Sequence, residues 1–119
     1  MLLVVTRYRV PPGHLDEFLD VAREALRVLA ERTGFVRGHV GQAIDEAGLM
    51  VLSSEWENVG SYRRALSSYE VKLTAVPLLS RAIDEPTAFE ILHSRGPEGV
   101  RDSPSALSPG AATYNLGES

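Results

Sequence analysis

No cysteine occurs among the 119 residues, which excludes a disulfide scaffold, a thiolate metal site and a cysteine nucleophile. No apolar run approaches the ~20 residues of a membrane span. The opening Met1-Leu2-Leu3-Val4-Val5 lacks the charged stretch and cleavage site of a secretory signal. These absences predict a cytoplasmic protein without membrane contact. Positive charge is short as well: twelve Lys and Arg stand against sixteen Asp and Glu, for a net charge of −4. That balance argues against general nucleic-acid binding. There is no G-x-S-x-G elbow and no G-x-x-x-x-G-K phosphate loop. Gly34, Gly38 and Gly41 fall within one strand-like segment and make no dinucleotide fingerprint. The three histidines, His14, His39 and His93, form no i, i+4 pair and have no carboxylates at ligand spacing, so a metal site is not expected.

What is present is ordinary for a globular domain, with 44% hydrophobic and 24% charged residues. The length suits one domain. Arg95 to Ser119 holds three Pro, four Gly and four Ser without a sustained apolar period. The expectation is a domain over 1–94 and a flexible Pro/Gly/Ser-rich tail over 95–119. The alternative is that Leu107, Tyr114 and Leu116 dock on the domain or on a second subunit.

Leu2 to Val10 reads as a strand ending at Pro11-Pro12-Gly13. Leu15, Phe18, Leu19, Ala22, Ala25, Leu26 and Leu29 then form one helical stripe, with Gly34 as the expected C-terminal cap. Phe35 to Ile44 and Leu49 to Glu57 are β-rich runs joined by Asp45-Glu46-Ala47-Gly48. The length of that turn leaves the pairing register open. Asn58 suits the cap of a short helix, and Ser67 with Glu70 suggests a capping box and a helix restarting near Ser68. Pro77 splits or kinks the stretch Tyr69 to Ala82, and Thr87 to His93 reads as a last strand. The order is β-α-β-β-α-β, an α+β, ferredoxin-like arrangement with a four-stranded antiparallel sheet.

The strands are apolar in both registers. Leu3 and Val5 oppose Leu2, Val4 and Tyr8, and Leu49 and Val51 oppose Met50, Leu52 and Trp56. Helices cover one face, so the other needs a cover, and a second copy of the sheet is the simplest. An RNA-recognition sheet is disfavoured, because the one aromatic of the third strand, Trp56, sits between Glu55 and Glu57. Trp56 and Tyr62, six residues apart, converge on the space between sheet and helices, either as a core residue with its packing partner or as two walls of a pocket. His39, mid-strand, is the histidine expected to be semi-buried, either as a hydrogen-bonded structural group or as a proton carrier. Arg7, Arg9 and Arg37 are expected to pair with Glu55, Glu57 and Glu90, the other option being anion stabilisation.

Pro12-Gly13, Asp16-Glu17-Phe18-Leu19, Gly34-Phe35 and Glu55-Trp56-Glu57-Asn58 leading to Tyr62, in this order over about residues 2–94, resemble the antibiotic biosynthesis monooxygenase (ABM) family. The resemblance implies a homodimeric α+β barrel in which two ferredoxin-like sheets face each other. Its quinone-forming branch oxidises phenolic rings with O₂ without metal, flavin or other cofactor, and Trp56 and Tyr62 match that branch's Trp and Tyr. The branch's Asn four positions before the Trp is Leu52 here, and its expected Arg meets Val76. The haem-degrading branch fits less well, with Leu66 where its axial His would stand and no Asn in Leu2 to Val10. The resemblance therefore implies a cofactor-independent monooxygenase acting on a small phenolic or polyketide-like molecule. Phe18, Leu52, Trp56 and Tyr62 would form the pocket, Tyr62 would hydrogen-bond the substrate oxygen, and His39 would be a reserve base. The alternative is a non-catalytic dimeric barrel that binds a small apolar ligand or a partner protein. Sedimentation equilibrium should report twice the 13.0 kDa chain mass, and a stable monomer at high concentration would remove the two-sheet barrel.

Overall fold

In the computed structural model residues 1–104 are described. Residues 1–89 form one unit, and a second begins at Glu90. The first unit runs β1 (Leu2–Arg9), α1 (Leu15–Ala30), β2 (Phe35–Gln42), β3 (Leu49–Trp56), α2 (Val59–Ser67), α3 (Tyr69–Thr74) and α4 (Val76–Leu79). It continues into β4 (Ala88–Glu90), and the strands order as β2-β3-β1-β4. This is the expected α+β, ferredoxin-like sheet.

Alternation sorts the side chains of β1 and β3. Leu2, Val4, Thr6 and Tyr8 are buried on β1, as are Met50, Leu52, Ser54 and Trp56 on β3. The intervening Leu3, Val5, Leu49 and Val51 are only half-buried on the opposite face. The antiparallel register sets Leu2 against Trp56 and Tyr8 against Met50. On β2 the register left open by the turn is resolved by a bulge at Val36, between Phe35↔Trp56 and Arg37↔Glu55. Helix α1 lays Phe18, Ala22, Ala25, Val28 and Leu29 on the buried face, and Asp16 and Glu17 occupy its first turn, where negative charge suits the helix dipole.

Local signals are read with small displacements. Asn58 caps α2, its side-chain oxygen accepting from the Ser61 N–H at 2.8 Å. The cap of α3 is Ser68 rather than Ser67: the Ser68 hydroxyl accepts from the Val71 N–H, while Ser67 donates to the Arg63 carbonyl. The break near Pro77 falls at Ala75, which places Pro77 in the first turn of α4, where its missing N–H costs nothing. Helix α1 ends at Ala30, four residues before Gly34. Gly34 instead serves a close approach: at φ +91° its carbonyl accepts from the Glu57 N–H at 2.8 Å, and an added Cβ would lie 2.3 Å from the Ser61 hydroxyl.

The last strand is shorter than the expected Thr87 to His93. In the second unit His93–Gly96 (β5) and Gly99–Asp102 (β6) form a hairpin, so residues 95–96 and 99–102 are paired rather than irregular. Gly96-Pro97-Glu98-Gly99, with Gly99 at φ +127°, is a turn signal that the tail's composition hides. His93 Nδ1 and Asp102 Oδ1 are 2.6 Å apart across that hairpin. Leu107, Tyr114 and Leu116 lie outside the described residues.

Gly34→Ala should cost about 2–4 kcal/mol in urea unfolding, from left-handed backbone strain plus the clash with Ser61. Gly13→Ala, at φ +86° with nothing within 4 Å of the added Cβ, should cost only about 1–2 kcal/mol. Equal losses would show that the α2 contact does not matter.

Candidate active site

Trp56 closes β3 and is 0% exposed. Its indole N–H donates to the Ser54 hydroxyl at 2.9 Å. Phe35 meets it edge-on at 5.3 Å and 88°, and Tyr62 at 5.5 Å and 51°. The Asn58 cap and the Gly34–Ser61 approach seat the first turn of α2, and with it Tyr62, against the strand ends. Trp56 and Tyr62 are thus brought together as expected, but side chains fill the space around the indole.

The other two expected pocket residues lie elsewhere on the same face. Leu52 is buried, and its carbonyl accepts from the Thr6 hydroxyl at 3.2 Å. Phe18 meets Tyr8 at 5.1 Å. The Tyr8 hydroxyl donates to Thr6 at 2.8 Å, so a relay of buried hydroxyls runs from Tyr8 through Thr6 to the Leu52 backbone. Open space adjoins this second aromatic pair: a cavity of about 230 Å³ has Tyr8, Phe18 and Val21 in its wall and Arg81, His14 and Glu17 among its polar lining.

Both phenols are held above their ordinary pKa. For Tyr8 burial is the main cause, opposed by its hydrogen bond to Thr6 and by the charge of Arg81. For Tyr62 burial again leads, and the nearby Tyr8 adds to it. Among the described residues the Tyr62 hydroxyl makes no hydrogen bond, and Tyr62 is not in the lining of the cavity beside Tyr8 and Phe18.

His39 is a correction. It pairs with Ser53 in the register, on the face opposite Trp56, and it is exposed rather than semi-buried. The bulge at Val36 sets this phase, and a base there faces away from the ring pair. Arg7, Arg9 and Arg37 are engaged, though with partly different carboxylates than expected. Arg7 makes a bidentate pair with Glu85 at 2.7 Å, Arg9 pairs with Glu46, and Arg37 with Glu55 at 3.4 Å. Residues missed in the sequence are Tyr8, legible as the next in-phase residue of β1, and Arg81, which carries no local signal. Among the described residues no group of three His, Asp or Glu could hold a metal ion. No helix there is long and apolar enough to cross a membrane.

A family model described as antibiotic biosynthesis monooxygenase matches residues 1–75. The chain belongs to the ABM family. It is similar to SnoaB, a cofactor-independent oxygenase from Streptomyces nogalater, at 26% identity and a TM-score of 0.65, covering 76% of this chain and 91% of that one. A conserved protein from Methanosarcina mazei Go1 shares the fold at 23% identity and a TM-score of 0.61, over 74% of this chain and 89% of that one. A search of curated proteins found no significant match. Family membership and the likeness to SnoaB support a monooxygenase-type function.

The raised phenols give a pH signature. Below pH 10.0, the ordinary tyrosine value, both are neutral folded and unfolded, and their contribution to stability is complete. Above it the unfolded chain releases protons that the fold retains, so stability falls as pH rises. Urea unfolding from pH 7 to 11 should show this fall beginning near pH 10, and Tyr62→Phe should flatten it. An equal fall in the variant would show that Tyr62 is not desolvated.

Proposed function

We propose that this ABM-family chain is a cofactor-independent monooxygenase that oxidises a small phenolic or polyketide-like molecule with O₂ in the cytoplasm. The observation that carries the reading is the pairing of Trp56 with Tyr62 and of Tyr8 with Phe18 on the helix side of an ABM-family sheet, with a cavity of about 230 Å³ beside the second pair. An apolar wall favours a flat aromatic substrate, and exclusion of water strengthens any hydrogen bond to its oxygen. Trp56, packed between Phe35 and Tyr62, fixes the Tyr62 ring. Tyr62 stays protonated at neutral pH and donates to the substrate oxygen, stabilising the phenolate that reduces oxygen. The reaction balances without an external reductant. A phenol with hydrogen para to its hydroxyl supplies four electrons to O₂; one oxygen atom becomes the new quinone carbonyl and the other leaves as water, taking the C–H and O–H hydrogens. A second copy of the chain covers the open face carrying Leu3, Val5, Leu49 and Val51, which forms the homodimeric barrel.

A second reading is a non-catalytic barrel that binds a small apolar ligand or a partner protein. Leu52 and Val76, apolar where the family's quinone-forming branch carries Asn and Arg, favour it. Incubation of an anthrone with protein and O₂ separates the two. The expected result is quinone formation faster than in buffer, slowed about 10- to 100-fold in Tyr62→Phe, at or under the low end of losses for an oxyanion donor. A rate equal to buffer, or one indifferent to Tyr62→Phe, leaves the binding module.

A further inference from the structure

We propose that the cavity beside Tyr8 and Phe18 takes a phenol of one or two rings that carries a carboxylate, the ring lying on these two side chains and the carboxylate on Arg81. The inference rests on the oxygenase reading and narrows its substrate. The volume of about 230 Å³ lies under the roughly 300–1,000 Å³ of sites for drug-sized ligands, which favours a compact ring system. The lining is asymmetric in charge although the whole chain is acidic. Arg81 and Arg9 bring two guanidiniums, and Glu17 brings one carboxylate, 4.0 Å from His14 Nδ1.

The two arginines differ in availability. Arg9 is occupied by Glu46. Arg81 makes no ion pair or side-chain hydrogen bond among the described residues. Its backbone is nevertheless held on both sides. The Arg81 N–H donates to the Leu78 carbonyl at 2.9 Å, and two residues on, the Ile83 N–H donates to the Arg7 carbonyl of β1 at 2.8 Å. Glu85 then fixes the same segment through its bidentate pair with Arg7. A planar, permanently charged fork on an anchored backbone, beside an aromatic wall and without a partner of its own, matches a carboxylate on a ring.

Calorimetric titration of the full chain with 2,5-dihydroxybenzoate and with hydroquinone, without oxygen, tests the assignment. The carboxylated ring should bind at least about tenfold more tightly, the advantage expected of a charge-assisted bidentate contact. Arg81→Gln should bring the two ligands within about threefold by weakening only the acid, and Arg81→Lys should restore part of the preference. Equal binding by the unaltered protein, or a preference that persists in Arg81→Gln, overturns the inference. Oxidation of a neutral phenol without any preference for the acid overturns it too, and leaves the oxygenase reading standing. An acid preference lost in Arg81→Gln, with no quinone formed from an anthrone in air, supports the site and overturns the oxygenase reading alone.

Discussion

The strict alternation of side chains along β1 and β3 governs everything else in residues 1–89. Because the period of a strand is two, one register decision sends Leu2, Val4, Thr6, Tyr8, Met50, Leu52, Ser54 and Trp56 under the helices together. The bulge at Val36 then sets the phase of β2 and puts His39 and Arg37 on the open face. A one-residue slip of β2 against β3 would turn Arg37 and His39 under the helices, and a slip between β1 and β3 would bury Arg7 or expose the indole, so the apolar pattern and the register enforce each other.

The same sorting makes a chemical division. Under the helices the buried polar side chains of β1 and β3 satisfy one another: the indole N–H on Ser54, and the Tyr8 hydroxyl on Thr6, which itself bonds to a backbone carbonyl. Burial keeps both phenols protonated at neutral pH, and Tyr8 donates to Thr6. The open face is where charge collects, and its arginines are matched by Glu85, Glu46 and Glu55. Its half-buried Leu3, Val5, Leu49 and Val51 are what a second sheet would cover.

Legibility followed the range of the interactions involved. Short-range signals were readable: the α1 stripe, the Asn58 cap, the break near Pro77 and the six-residue spacing from Trp56 to Tyr62. Each depends on neighbours within a turn or two of chain. Signals that depend on which of two adjacent residues wins a hydrogen bond were read one position off, as with Ser67 and Ser68. Composition misled at Arg95, because a Gly-Pro-Glu-Gly turn that pairs two short strands has the same residues as an unstructured tail.

By itself the sequence determined the α+β order, the two-faced strands and the pairing of Trp56 with Tyr62, since periodicity, capping residues and spacing act locally along the chain. Only the tertiary structure decided that the indole is walled in, that His39 faces away, and that open space adjoins Tyr8 and Phe18 with Arg81 at its edge. Those outcomes turn on a single bulge in β2 and on one backbone bond from Ile83 to Arg7. Both join segments far apart in the chain, and no local pattern of residues encodes such a meeting.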